Sequence, residues 1–207
     1  MPWIVLIKCS CHSSHLCASY ACKMLPSELE EILHLIYNHF SNSPGRKERL
    51  AALQEFERVE IHRILAPGQT RWLSLGACVD RVIEQLHPTP TLINYFAKEA
   101  LERKCKQVER INLYLNNPLT IPYLRLMQYA LKELNELNTL YQSEKPLLYC
   151  LREKVTNIIR TFARNFMHVK YVRDCSIEAL DPYLTSQYLP LKQIYFGNNV
   201  FYLSSVL

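Results

Sequence analysis

Carboxylates are missing from the start of the chain. The first 27 of its 207 residues contain neither aspartate nor glutamate, and Glu28 is the first acid. Chemistry that relies on paired carboxylates, as acids and bases or as ligands of metal ions, therefore has no side chain to use there. Glycine is also scarce, with 4 residues against 11 prolines. The sequence has no glycine-rich phosphate loop, no Gly-x-Ser-x-Gly and no His-Glu-x-x-His, the motifs of common nucleotide hydrolases, serine hydrolases and zinc peptidases.

Long apolar segments are absent as well. The apolar run at residues 4–7 is far shorter than the roughly 20 residues that cross a bilayer. Lys8 follows this run, whereas a secretory signal places its charge before a longer apolar segment. We therefore expect no membrane-spanning segment and no export. Eight cysteines are too few for a disulfide scaffold in a chain of this length, so we expect reduced thiols.

Helical periodicity dominates the rest of the sequence. Apolar side chains recur at three- and four-residue spacing in about seven segments, separated by proline, glycine and asparagine clusters. This pattern predicts a mainly α fold, a multi-helix domain with a short N-terminal strand at residues 4–7. A second short strand is predicted around residues 192–196. The stretch 174–207 has no sustained period and is predicted to be irregular.

Helix boundaries are predicted from the same pattern. Ser27, with Glu30 three residues later, forms a capping-box pattern at the start of a helix. Residues 46–65 are predicted to form one helix, because a Pro-Gly pair follows them. Residues 91–115 are predicted to form another, which is long and rich in charge.

Cysteine and histidine are concentrated near the N-terminus. Cys9, Cys11, His12 and His15 supply the ligand types that tetrahedral zinc prefers. They lie close together, mostly on one predicted helix, and a single helix cannot readily direct four ligands to one ion. We therefore predict no metal and no cofactor, and keep zinc at these four residues as the alternative. Cysteine catalysis is disfavoured, because the segment has no acid to orient a histidine.

A second cluster follows a Pro-Gly turn. Arg71 and Trp72 carry planar guanidinium and indole groups, which bind phosphate and stack on bases. These two residues are therefore candidates for DNA binding. In the structural alternative, Trp72 anchors the loop in the core while Arg71 pairs with one of three acids: Glu55, Glu57 or Glu60.

Positive charge is concentrated in one segment. Lysine and arginine number 24 against 19 acids, and the net charge of +5 permits anionic partners without requiring them. Between residues 152 and 173, six lysines and arginines stand against one acid, Glu153. Residues 147–168 are predicted to form a helix with Arg160 and Arg164 opposite its apolar face. Such a face can follow a phosphate backbone, and a merely solvated face is the alternative.

A family resemblance is carried by several blocks between residues 4 and 96. The most specific are Cys9-x-Cys11-His12 and Thr70-Arg71-Trp72-Leu73-Ser74-Leu75. They resemble the central region of hAT-family DNA transposases, and more closely the host-domesticated proteins derived from them. The resemblance implies an RNase H-like core interrupted by a large helical insertion. It equates Cys9 and His12 with the family's Cys/Asp-x-x-His motif, and Arg71-Trp72 with an Arg-Trp motif that acts on DNA near the cleavage site.

The same resemblance implies a domain order and a lost activity. Residues 1–25 correspond to a remnant of the RNase H-like core, a strand plus a helix, and residues 26–207 to a helical insertion-like domain. The family cuts DNA with two aspartates and a glutamate; the resemblance implies that both aspartates would lie at or before the start of this chain and the glutamate beyond Leu207. We therefore expect a catalytically inactive fragment, not an enzyme. Residual DNA binding is expected through four residues: Arg71, Trp72, Arg160 and Arg164.

Two other functions stay open. A helical protein–protein interaction module is the alternative, because amphipathic helices without the family's other domains would leave apolar faces uncovered. An active transposase or nuclease is the third hypothesis, which the missing acids disfavour. The expected partners are DNA or a protein, and not a membrane. By analogy with the family, the expected location is the nucleus or the cytoplasm.

Overall fold

The computed structural model describes residues 9–68, 75–142 and 147–195. This part of the chain forms nine α-helices. Within these ranges there is no β-sheet, and one isolated antiparallel bridge joins Met167 to Tyr188. The prediction of a mainly α fold is confirmed. None of the described helices is long and apolar enough to cross a bilayer. The predicted strand at residues 4–7 lies outside the described residues.

The helices follow one another through short connections. Their bounds are α1 Ser10–Lys23, α2 Ser27–Ser41, α3 Pro44–Phe56, α4 Leu75–Glu84, α5 Thr91–Glu102, α6 Lys106–Leu115, α7 Thr120–Tyr141, α8 Leu151–Phe166 and α9 Val169–Asp174. Four short 3-10 helices are also described, at Leu148–Cys150, Ile177–Ala179, Thr185–Gln187 and Leu191–Gln193. From residue 175 to 195 the backbone contains only such short turns and the isolated bridge at Tyr188, as expected for an irregular segment.

The chain divides into two compact units, Met1–Asn135 and Glu136–Leu207. The division falls inside α7. α1 belongs to the first unit, because its Ala18 is fully buried in the same hydrophobic core as the helices that follow. The predicted boundary between residues 25 and 26 is therefore not a boundary between compact units. The origin of residues 1–25 in an RNase H-like core stays a prediction.

The core of the first unit is built on α2. This helix buries apolar side chains at the three- and four-residue spacing that follows the 3.6-residue helical period. Each fully buried Leu, Ile or Phe contributes about 1.5–3 kcal/mol relative to an exposed position. α4, α5, α6 and α7 add their own buried stripes to this core. The α2 residues are Leu29, Ile32, Leu33, Ile36 and Phe40.

The predicted helix at residues 46–65 is too long. α3 ends at Phe56, and Arg58 takes the left-handed region with φ of 57°. The Val59 amide then donates to the Gln54 carbonyl at 2.9 Å, which closes the helix end. The buried Gln54 side chain donates to the His62 carbonyl at 3.1 Å. These contacts hold the chain beyond α3 in a non-helical path that no local proline or glycine signals.

The predicted single helix at residues 91–115 is wrong in its middle. Arg103 and Cys105 both have extended backbones, so α5 and α6 are separate helices. A straight helix of this length would be about 37 Å long, and one end would leave the core. Folding back lets α5 and α6 pack against each other and bury Phe96 and Ile111 completely.

Two smaller predictions also fail. Ser27 is not a capping residue, because Pro26 occupies the position before the helix and no side chain caps α2. The Ser27 hydroxyl instead donates to Glu28 at 3.4 Å. The described part of the predicted strand at residues 192–196 is not a strand. Its start belongs to a 3-10 turn, in which the Gln193 amide donates to the Pro190 carbonyl at 2.8 Å.

Candidate nucleic-acid interface

The cysteine and histidine segment forms the start of α1. Cys9 precedes the helix, and the backbone amides of His12 and Cys11 in the first turn lower the pKa of its exposed thiol. The His12 and His15 rings lie 6.4 Å apart. Among the described residues, no three or more Cys, His, Asp or Glu side chains are grouped to hold a metal ion. The geometry therefore lends no support to zinc at Cys9, Cys11, His12 and His15.

The predicted DNA-binding residues Arg71 and Trp72 lie outside the described residues, so their role stays a prediction. Two of the acids proposed as partners of Arg71 have other contacts. Glu57 accepts hydrogen bonds from the Thr91 hydroxyl and, at 2.7 Å, from Asn94 at the start of α5. Glu60 lies 2.9 Å from the His62 imidazole.

Arg160 has a structural use in the second unit. Its guanidinium donates to the Val172 carbonyl and, at 3.2 Å, to the Cys175 carbonyl. These carbonyls belong to the end of α9, where a helix leaves acceptors without intrahelical partners. A cation at this end also interacts favourably with the helix dipole. The predicted role of Arg160 in DNA binding stays a prediction, but part of its donor set is already engaged.

Arg164 is exposed on the same helix, and its surroundings differ from those of Arg160. It belongs to an exposed line of four side chains at spacings of three, four and three residues, which places them along one face of α8. We call these the α8 polar stripe: Lys154, Asn157, Thr161 and Arg164. Within the described chain, neither Lys154 nor Arg164 has a carboxylate within ion-pair distance.

Other cations of this unit are paired. Arg152 lies 3.2 Å from Glu178, and Arg173 lies 2.8 Å from Asp174. All four side chains are well exposed, so water screens these pairs and each contributes little stability. The basic segment predicted from the sequence therefore offers fewer free cations than its composition indicates. Two of its six cations form ion pairs, and a third donates hydrogen bonds to carbonyls at the end of α9.

The first unit contains a second group of cations, which we call the arginine cluster: Arg46, Arg49 and Arg103. Arg49 places Nε and Nη2 each 3.0 Å from the same oxygen of Glu99. Arg103 Nε lies 3.6 Å from the other oxygen of Glu99. Arg46 donates to the His39 carbonyl at 2.9 Å. α3 and the end of α5 therefore bring two guanidinium groups to one carboxylate, and α3 places a third at a carbonyl of α2.

Buried polar groups support this cluster from below. Glu99 and His39 are each only 2% exposed. The His39 Nε2 atom lies 3.3 Å from the Tyr95 hydroxyl. Burial, reinforced by Arg46, lowers the pKa of His39 to about 4, and the imidazole is neutral near pH 7.

The arginine cluster was not predicted from the sequence. Arg46 and Arg49 are near each other in sequence, but Arg103 is more than fifty residues away and lies at a helix end that was not predicted. One signal was present. Glu99 follows Tyr95 and Phe96 at helical spacing, on the buried face of α5, and a carboxylate in such a position requires a cation.

Comparisons of this chain with models of known protein families, with curated proteins and with solved structures gave no match.

Proposed function

We propose that this protein is a non-catalytic nucleic-acid-binding module derived from an hAT-family transposase. The observation that carries the proposal is the α8 polar stripe, in which Lys154 and Arg164 are exposed without a carboxylate partner among the described residues. Ten residues of helix separate these two cations, which corresponds to about 15 Å along the axis. Asn157 and Thr161 between them add neutral donors of the kind that contact phosphate oxygens.

The absence of catalysis is part of the same proposal. It is supported by the first 27 residues, which contain no carboxylate that could hold a metal ion. Magnesium-dependent nicking of DNA by the purified chain, abolished by substitution of one of its own glutamates, would overturn this part.

DNA binding is tested by fluorescence anisotropy with a duplex and a hairpin at several salt concentrations. Each phosphate contact contributes about 0.9 to the slope of log K against log salt. The double variant Lys154→Glu, Arg164→Glu is expected to reduce both affinity and this slope. The matched control is Arg152→Glu, Arg173→Glu, which changes the charge equally at two ion-paired sites. Binding that ignores salt, or that both double variants weaken equally, contradicts the proposal.

A protein partner is the second candidate function, and it is favoured by the opposite face of α8. No residue of this helix is buried, although its apolar side chains recur at helical spacing. Apolar faces of this kind are typical of interaction sites. Size-exclusion chromatography with light scattering, together with a hydrophobic dye, tests this candidate. A monomer that does not bind the dye counts against it.

A further inference from the structure

The arginine cluster carries more positive charge than its neighbours neutralise. Two guanidinium groups pair with the Glu99 carboxylate, and a third, that of Arg46, lies at the carbonyl of the neighbouring His39, so the four charged side chains have a net charge of +2. His39 adds no charge near pH 7, and Tyr95 is a neutral phenol. A single buried glutamate with one arginine would satisfy the need for charge pairing. The second and third arginines are therefore more than the buried carboxylate requires.

The cluster also has donors to spare and is open to solvent. Each guanidinium has five N–H groups. Arg49 uses two nitrogens on one oxygen of Glu99, and Arg46 uses one on the His39 carbonyl. The 3.6 Å separation between Arg103 and Glu99 is an ion pair but is too long for a hydrogen bond. The side chains of Arg49 and Arg103 are 40% and 50% exposed, whereas that of Glu99 is 3% exposed.

This layering separates the two signs of charge. The buried Glu99 carboxylate lies below the more exposed guanidinium groups of Arg49 and Arg103 and forms ion pairs with both. An anion that arrives from solvent meets the outer N–H groups and not the Glu99 oxygens. Planar guanidinium forks match the geometry of phosphate oxygens and bind them in pairs.

We propose that the arginine cluster of Arg46, Arg49 and Arg103 binds a dianionic phosphate group, either inorganic phosphate or a phosphomonoester. The charge of −2 matches the +2 of the cluster. A phosphodiester carries a single negative charge and matches it less well. This site lies in the first unit and does not depend on DNA binding by α8, so the two proposals can fail separately.

The test is a titration of the folded chain, followed by amide chemical shifts in NMR at pH 7.5 and constant ionic strength. Inorganic phosphate is the first probe, phenyl phosphate represents monoesters, and dimethyl phosphate represents diesters. Saturable shifts at α3 and at the end of α5 are expected with the first two at millimolar concentrations. A response to only one of them identifies which source of phosphate the site accepts. No saturable shift with either, or an equal response to dimethyl phosphate, overturns the proposal.

Arg103→Gln removes one outer guanidinium without removing the close Arg49–Glu99 pair, and is expected to weaken binding about tenfold. Arg110→Gln is the matched control, because Arg110 is also 50% exposed and paired with an acid, Glu31. Glu31 lies eight residues before His39 on α2, about 12 Å away along the helix. If Arg103→Gln does not fold, Arg103→Lys keeps the charge but loses the fork and is expected to weaken binding by a smaller factor. Equal weakening by the Arg110 control overturns the assignment.

Discussion

Lowering the pH is expected to destabilise the first unit through one side chain, His39. Its imidazole is buried between Tyr95 and Phe96. Burial is the main reason for its low pKa, and the nearby charges of Arg46, Arg49 and Arg103 add to it, while Glu99 acts in the opposite direction. The His39 Nε2 atom also lies 3.3 Å from the Tyr95 hydroxyl, a contact that the neutral ring makes as donor or acceptor according to its tautomer.

The size of the effect follows from the two pKa values. The unfolded chain takes up the proton near pH 6.5, whereas the folded chain does so only near pH 4. Between these values the proton binds the unfolded chain better, so stability falls as the pH is lowered. At about 1.4 kcal/mol for each pH unit, the loss attributable to His39 is about 2 kcal/mol at pH 5 and about 3 kcal/mol at pH 4. The contribution is present in full above pH 7.

Urea denaturation at pH 7.5 and pH 5 measures this loss. In His39→Gln the amide can still hydrogen-bond the Tyr95 hydroxyl but cannot titrate, so the pH-dependent loss should shrink by about 2 kcal/mol. The control is His34→Gln on the same helix, whose ring is 36% exposed and 3.8 Å from Glu30. That variant should keep the full pH dependence. Titratable groups that all variants share contribute equally to each loss of stability and cancel in the comparison.

If His39→Gln and the unaltered chain lose the same free energy of unfolding between pH 7.5 and pH 5, His39 is not the source of the pH dependence. An NMR titration gives an independent check, because the His39 ring protons should not shift until the pH approaches 4. A transition near pH 6.5 would show that the ring is solvated.

Three further outcomes are expected. Gln54→Ala should lower the free energy of unfolding by about 2–3 kcal/mol, because the 2.8 Å hydrogen bond to the buried Gln85 is lost. Iodoacetamide at pH 7.5 should modify Cys9 well before Cys78, since the Cys9 pKa is lowered at the start of α1, whereas burial raises that of Cys78 to about 12. Arg160→Gln should destabilise the end of α9 by about 1–3 kcal/mol, seen as faster amide exchange there, because its guanidinium bonds to carbonyls are lost.

Each of these outcomes has a control in the same chain. Gln128→Ala removes a hydrogen bond to the exposed Asp80 and should cost less than Gln54→Ala. Lys154→Gln, on the exposed face of α8, should leave amide exchange in α9 unchanged. Equal losses from the two glutamine variants, equal alkylation of the buried and exposed thiols, or an unchanged α9 after loss of Arg160 would contradict the corresponding prediction.

Local patterns in the sequence were sufficient for most helices, because a buried helical face repeats every 3.6 residues wherever the helix lies. The stripe on α2 and the amphipathic pattern of α8 are examples. The ends of the helices were harder to predict from local sequence. The end of α3 depends on the buried Gln54 and the left-handed Arg58, and the break between α5 and α6 has no proline or glycine.

The sequence by itself determined the mainly α fold, the acid-free start and the basic segment, because each depends on residue type and short-range order. Only the tertiary structure decided which cations are available. It placed Arg160 on the end of α9 and left Arg164 exposed, although both occupy the predicted polar face. It also brought Arg103 to Arg49 across fifty residues of chain, since burying α5 and α6 in one core places the end of α5 beside α3 and gives Glu99 its cations.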